Sequence, residues 1–193
     1  MNKRILIADT VFILVALVLM RFIDPAKVLL GAFCFMFFYL YITKRRSLII
    51  HLIVASIVAF VWMSIAKSQY SYNKSMFQIF GMNAFPFFAW SIGLLAAYII
   101  YSRAEKIVKD RGFIRKISLF SLIYIPTLLV FEAVGYNVLG IQNIGTSAYS
   151  PLPFCNCLHA PLWMQVSYFA LGPVYFAICY ALNLEDIKSK KSK

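Results

Sequence analysis

Six apolar runs, each near the roughly twenty residues that an α-helix needs to cross a hydrocarbon core, alternate with short segments that hold most of the charge. The runs cover about 5–22, 26–43, 47–66, 76–102, 117–134 and 161–184. That alternation predicts an all-α, polytopic membrane protein of six transmembrane helices, with residues 1–193 forming a single integral membrane domain. A membrane β-barrel is excluded, because its strands run about ten residues and alternate polar with apolar. A water-soluble domain is excluded by the 62% apolar content, against about half in soluble chains.

Basic residues at the start, then an apolar run broken only by Asp9, Thr10 and Arg21, give the outline of a signal peptide. No small-residue cleavage motif follows and the chain continues through Asp24-Pro25, so a retained first helix is expected. Prolines 86, 126 and 173 predict breaks or kinks, since proline removes a backbone donor and disfavours helix in the residue before it. Met76 to Phe85 then reads as an interfacial or partly unwound entry to a helix reaching Ser102.

The net charge of +12 does not point to nucleic acid, because no soluble basic domain carries it. The Lys and Arg residues sit at run ends. With the N-terminus inside, fifteen of the nineteen fall on inner segments, and only Arg21, Lys27, Lys67 and Lys74 fall on outer ones. The positive-inside rule therefore predicts a multi-pass protein of the cell membrane with both termini cytoplasmic (N-in/C-in) and an outer loop at 135–160. The connector from Arg103 to Lys116 is expected to lie on the inner surface against anionic lipid.

Chemistry-bearing residues gather between Phe131 and Gln165. Glu132 lies among apolar residues, with Tyr136 one turn later on the same helix face and Asn137 beside it. A carboxyl so placed is costly to ionise, so Glu132 is a candidate proton donor or polar anchor. Tyr136 and Asn137 would orient the bound molecule, and Pro151 to Trp163 would form a lid. Asp9, the other acid within an apolar run, is expected to snorkel back to Lys3 or Arg4, across the membrane from Glu132. Cys155, Cys157 and His159 place three metal-ligand types within five residues, with Glu132 or Met164 as a fourth ligand. Disulfide or thiol-redox chemistry and plain loop packing are the alternatives, and a bridge between two cysteines one residue apart is disfavoured by geometry. Trp62 and Trp163 fall near the outer boundary. Trp90 lies deeper, among Phe85, Phe87, Phe88 and Tyr98, and Trp90 and Trp163 are the candidate aromatic contacts for a polyene, quinone or lipid tail. His51, beside Arg45-Arg46, reads as interfacial. No phosphate loop, dinucleotide fingerprint or zinc-protease motif names a cofactor.

Two stretches share an order. Tyr72-Asn73, Phe80-Gly81 and Phe85-Pro86-Phe87 precede one aromatic-rich helix. Tyr136-Asn137, Leu139-Gly140 and Leu152-Pro153-Phe154 precede another. A parallel duplication of a helix pair is one reading, and the ordinary preference of Tyr, Asn, Gly and Pro for interfaces and turns is the other. At these residues the chain resembles the small bacterial and archaeal membrane lycopene cyclases. The resemblance implies a compact helical bundle and an isoprenoid-like ligand. In that family a glutamate pair follows the proline and protonates the polyene. Here the corresponding positions hold Phe87-Phe88 and Phe154-Cys155.

Together these features predict a small membrane protein that handles a hydrophobic isoprenoid- or lipid-like molecule near the outer leaflet, with Glu132 as its acid. The rival reading is an accessory subunit bound to a membrane protein partner. The third is a metal or thiol-redox site at Cys155, Cys157 and His159.

Overall fold

The computed structural model describes residues 3–74, 76–105, 108, 112–153 and 155–184. Six helices are long and apolar enough to cross a membrane. They are α1 (Lys3–Phe22), α2 (Pro25–Ile42), α3 (Ser47–Ala66), α4 (Ala84–Ala104), α5 (Phe113–Ala133) and α6 (Leu162–Ala181). The turn between α1 and α2 is built from the Asp24-Pro25 pair. The Asp24 carboxylate accepts from the Ala26 N–H at 2.8 Å, and Pro25 occupies the first helical position, where its missing N–H costs nothing.

Helix α4 starts at Ala84, eight residues later than the apolar run. Residues 78–83 instead form a short hairpin of β1 (Gln78–Ile79) and β2 (Met82–Asn83). Its two-residue turn, Phe80-Gly81, has both φ angles positive, at 52° and 70°, as a type I′ turn requires. Asn83 closes the hairpin and caps α4 by accepting from the Phe85 N–H at 3.0 Å. Pro86 therefore sits in the first turn of α4, where the helix needs no donor, and the expected break does not arise. Pro126 and Pro173 lie inside helices that run on uninterrupted. Helix α5 begins at Phe113 rather than at 117 and continues from Val134 to Val138 as a π-helical turn.

The core forms where α3 and α4 pack most extensively, with α5 and α6 closing on them. Ala55 and Ala59 on α3 and Ala97 on α4 are almost fully enclosed. Small residues at such positions let backbones approach closely, which is how helices gain contact when the solvent is itself apolar. The spaces between them are filled by rings. Phe176 meets Phe120 and Tyr101 with centroids 4.9 and 5.0 Å apart. Gly172 admits Tyr124, because a Cβ there would fall 2.6 Å from Tyr124 Cε1 and nearer still to two other ring carbons.

His51 belongs to this core. It is 1% exposed, stacks on Tyr98 at 3.8 Å and places Nδ1 3.3 Å from the Tyr175 hydroxyl. The interfacial position expected for it is corrected: packing between α3, α4 and α6 outweighs its nearness in sequence to Arg45 and Arg46.

Helix α1 packs chiefly on α2 and leaves most of its surface uncovered. It is pinned by Asp9, whose carboxylate accepts from Arg45 Nη1 and Nη2 at 3.2 and 2.8 Å, from Arg103 Nη2 at 2.7 Å and from the Tyr39 hydroxyl at 2.6 Å. The side chains of Lys3 and Arg4, expected as its partners, lie outside what the structure describes; within it Asp9 is held by ion pairs to the α2–α3 turn and the end of α4. These contacts bring the start of α1, the α2–α3 turn and the end of α4 to one end of the bundle. The α3–α4 and α5–α6 loops meet at the opposite end.

Candidate functional site

At that opposite end two asparagines hold the loops together. Asn73 Oδ1 accepts from the Gln142 N–H at 3.1 Å while Nδ2 donates to the Gly140 carbonyl at 3.0 Å. Reciprocally, Asn143 Oδ1 accepts from the Ser71 N–H at 3.0 Å and Nδ2 donates to the Gln69 carbonyl at 2.9 Å. Lys74 donates to the Leu139 carbonyl at 3.0 Å. Side-chain amides suit this task because each supplies a donor and an acceptor to backbone that no helix or sheet would satisfy.

Beneath this cap lies a cavity of about 230 Å³. Helix α1 supplies Phe12, Ala16 and Met20, α4 supplies Ala89, Trp90 and Gly93, and α5 supplies Thr127, Phe131 and Glu132. Helices α1 and α5 face each other across it without packing together extensively. Ile13 and Phe131, on opposite walls, each remain 40% exposed, so the cavity opens sideways between these two helices.

The polar groups of the cavity gather at its capped end, where Tyr70, Tyr72, Tyr124, Glu132, Tyr136 and Tyr168 converge. The Tyr70 oxygen accepts from Trp62 Nε1 at 2.9 Å and from Trp90 Nε1 at 3.2 Å, and lies 2.8 Å from the Tyr168 hydroxyl. An indole nitrogen only donates, and a phenol oxygen has two lone pairs. With both lone pairs engaged, the Tyr70 proton goes to Tyr168. The Tyr168 hydroxyl proton is then left to point elsewhere. Tyr124 donates to the Tyr168 backbone carbonyl at 2.5 Å, which fixes that segment of α6 against α5.

Glu132 is within electrostatic reach of Tyr70, Tyr72, Tyr124 and Tyr168. Its carboxyl makes no hydrogen bond or ion pair among the described residues. Among the described residues no Lys or Arg lines the cavity, and the ammonium of Lys74 is turned to the Leu139 carbonyl. Tyr136 also lines the cavity and stacks on His159, with ring centroids 4.8 Å apart and planes 17° from parallel. His159 Nδ1 is 3.0 Å from the Tyr149 carbonyl. A carbonyl only accepts, so Nδ1 carries a proton, and in the neutral ring Nε2 is an acceptor. That Nε2 is buried without a partner.

Of the residues singled out in sequence, Glu132, Tyr136, Trp90 and His159 thus meet around one cavity. Asn137 does not join them. It lies five residues beyond Glu132, past the shared face, and its amide donates to the Cys155 carbonyl at 3.3 Å. Trp163 is half exposed and touches Trp62, with centroids 6.0 Å apart, rather than the cavity. Trp62, near the end of α3, is itself buried. Cys155 and Cys157 are joined to each other by a disulfide, so they offer no pair of thiolates to a metal. Among the described residues no group of three His, Cys, Asp or Glu side chains is arranged around a common point, and Met164 is enclosed in the core. The bridge that the one-residue spacing disfavours is thus the one that forms, and in this structure Cys155, Cys157 and His159 do not assemble a ligand set.

The segment expected as a lid is a tight, tied loop. Leu152 and Cys157 pair as a bridge, and Gln165 donates to the carbonyls of Ser150, Leu158 and Ala160. Only Leu158 and His159 of it reach the cavity. The two stretches of the sequence repeat also diverge. Tyr136-Asn137 lies within the π-helical turn, whereas Tyr72-Asn73 is in the cap, and Pro153 precedes α6 by nine residues, whereas Pro86 is inside α4. Comparison with protein-family models, with curated proteins and with solved structures gave no match.

Proposed function

We propose that the protein takes up one end of a hydrophobic chain, of isoprenoid or lipid class, in the cavity between α1, α2, α4 and α5, with Glu132 anchoring its polar end. The observation that carries this reading is a carboxyl without a protein partner at the closed end of an apolar, laterally open cavity. Membrane acids kept despite their cost are functional candidates, and apolar pockets with a few convergent polar groups are the usual form of a small-molecule site. The distribution of Lys and Arg puts the capped end, and hence Glu132, in the outer leaflet of the cell membrane with both termini in the cytoplasm.

Anchoring is favoured over proton transfer by the isolation of Glu132. Asp9, the other acid within a helix, is engaged by Arg45 and Arg103 at the far end of the bundle. Among the described residues no second carboxyl lines the cavity to share or relay a proton.

The test uses Gly93, which lines the cavity and has nothing within 4 Å of where a Cβ would stand. Mass spectrometry of extracts from gently purified protein should identify a chain-like hydrophobic molecule. The Gly93→Leu variant should fold and lose that molecule. Equal retention by Gly93→Leu, or no enriched molecule in the wild type, would refute the reading.

A further inference from the structure

Resting on that reading, we infer that the chain carries an uncharged hydroxyl head, so that the ligand is a long-chain alcohol of isoprenoid type rather than its phosphate ester. The inference comes from what the capped end leaves unsatisfied. Among polar groups there, Tyr70, Tyr124, Asn143 and Lys74 are occupied by protein partners. Two acceptors lack donors: the Glu132 carboxyl, and Nε2 of His159, which is buried. Three donors lack acceptors among the described residues: the Tyr72 and Tyr136 hydroxyls, which also line the cavity, and the Tyr168 proton displaced from Tyr70 by the two indoles.

A hydroxyl serves both kinds of unsatisfied group, giving its proton to Glu132 and accepting from Tyr168 through one of its two lone pairs. A phosphate monoester brings up to two negative charges and several acceptor oxygens. Among the described residues it would meet no Lys or Arg in a site with little water, so its charge would go unpaired. A bare hydrocarbon end would leave Glu132 and the Tyr168 proton desolvated without partners.

The size of the cavity adds to the argument. At about 230 Å³ the cavity is of the size that holds a small organic group rather than a whole long chain, so a longer tail leaves through the gap between α1 and α5. The protein therefore recognises the head and its nearest carbons, whatever the chain length beyond.

The experiment measures binding to the full-length protein in lipid nanodiscs by competition with a fluorescent farnesol analogue. Three probes are compared: farnesol, farnesyl monophosphate and the matching hydrocarbon farnesene. Farnesol should bind about tenfold more tightly than either of the others, the order of one well-placed hydrogen bond in a buried site. Glu132→Leu should weaken farnesol about tenfold while leaving farnesene unchanged, a difference that general damage to the fold would not produce. Glu132→Gln, which preserves shape and an acceptor oxygen, should lie between. Phosphate binding equal to or tighter than the alcohol overturns the hydroxyl assignment and leaves the cavity reading standing. So does equal binding of farnesene. Failure of all three probes to bind refutes the cavity reading itself.

Discussion

Removal of one oxygen atom, by Tyr70→Phe, tests the hydrogen-bond arrangement at the capped end. Tyr70, Trp62 and Trp90 are 8%, 5% and 8% exposed, so water does not replace what is lost. The substitution keeps the ring and its stack on Tyr72, with centroids 6.3 Å apart, but leaves two indole N–H groups without an acceptor. Each orphaned donor costs about 1–3 kcal/mol, so a loss of about 3 kcal/mol is expected. For a chain of this size that lowers the unfolding midpoint by roughly 6–12 °C. The assay is thermal unfolding in detergent followed by tryptophan emission, with a double-mutant cycle against Trp90→Phe. The cycle should return a coupling of about 1 kcal/mol or more, because the second change removes a donor that the first had stranded. A midpoint drop under about 2 °C, or additive single effects, would show that the indoles do not depend on Tyr70. The proton direction assigned to Tyr168 would fall with it.

Two further outcomes follow from the packing. Gly172→Ala should destabilise by about 1–3 kcal/mol through overpacking against Tyr124, and Tyr124→Leu in the same background should recover part of that; an unchanged unfolding midpoint in Gly172→Ala would contradict the close approach of α5 and α6. Asp9→Asn should cost about 1–2 kcal/mol, less than a fully buried pair because the side chains of Asp9, Arg45 and Arg103 remain 14%, 17% and 28% exposed. If thermal unfolding of Asp9→Asn matches the wild type, the ion pairs do not hold α1.

Much of the architecture is legible in the sequence because the period and length of apolar runs report directly on helices. Five of the six runs lie on helices with boundaries shifted by a few residues. In the remaining run, the non-helical entry expected between Met76 and Phe85 is present and takes the form of a hairpin, which the apolar pattern did not specify. Phe77, Ile79 and Met82 are as apolar as a helix would need, yet positive φ at Phe80 and Gly81 turns them into a hairpin. Glu132 and Tyr136 were found because four residues apart is a helical contact. The partners that complete the site were not, because Tyr70 and Tyr168 stand 98 residues apart and each looks like an ordinary aromatic in an apolar setting. Asp9 illustrates the same blindness. Its ion-pair partners among the described residues come from positions 45 and 103, delivered by topology that no spacing rule encodes.

The gap between α1 and α5 has a consequence for how selectivity can arise. A ligand entering through it exchanges the hydrocarbon of the bilayer for the hydrocarbon-like wall of the protein, so its tail gains almost nothing from leaving water. Bulk lipid competes at very high local concentration, and residence in the cavity is a matter of partition between two oily phases. Discrimination then rests on a few polar atoms at the inner tip, and a single substitution there should change which membrane component is retained far more than any reshaping of the greasy walls.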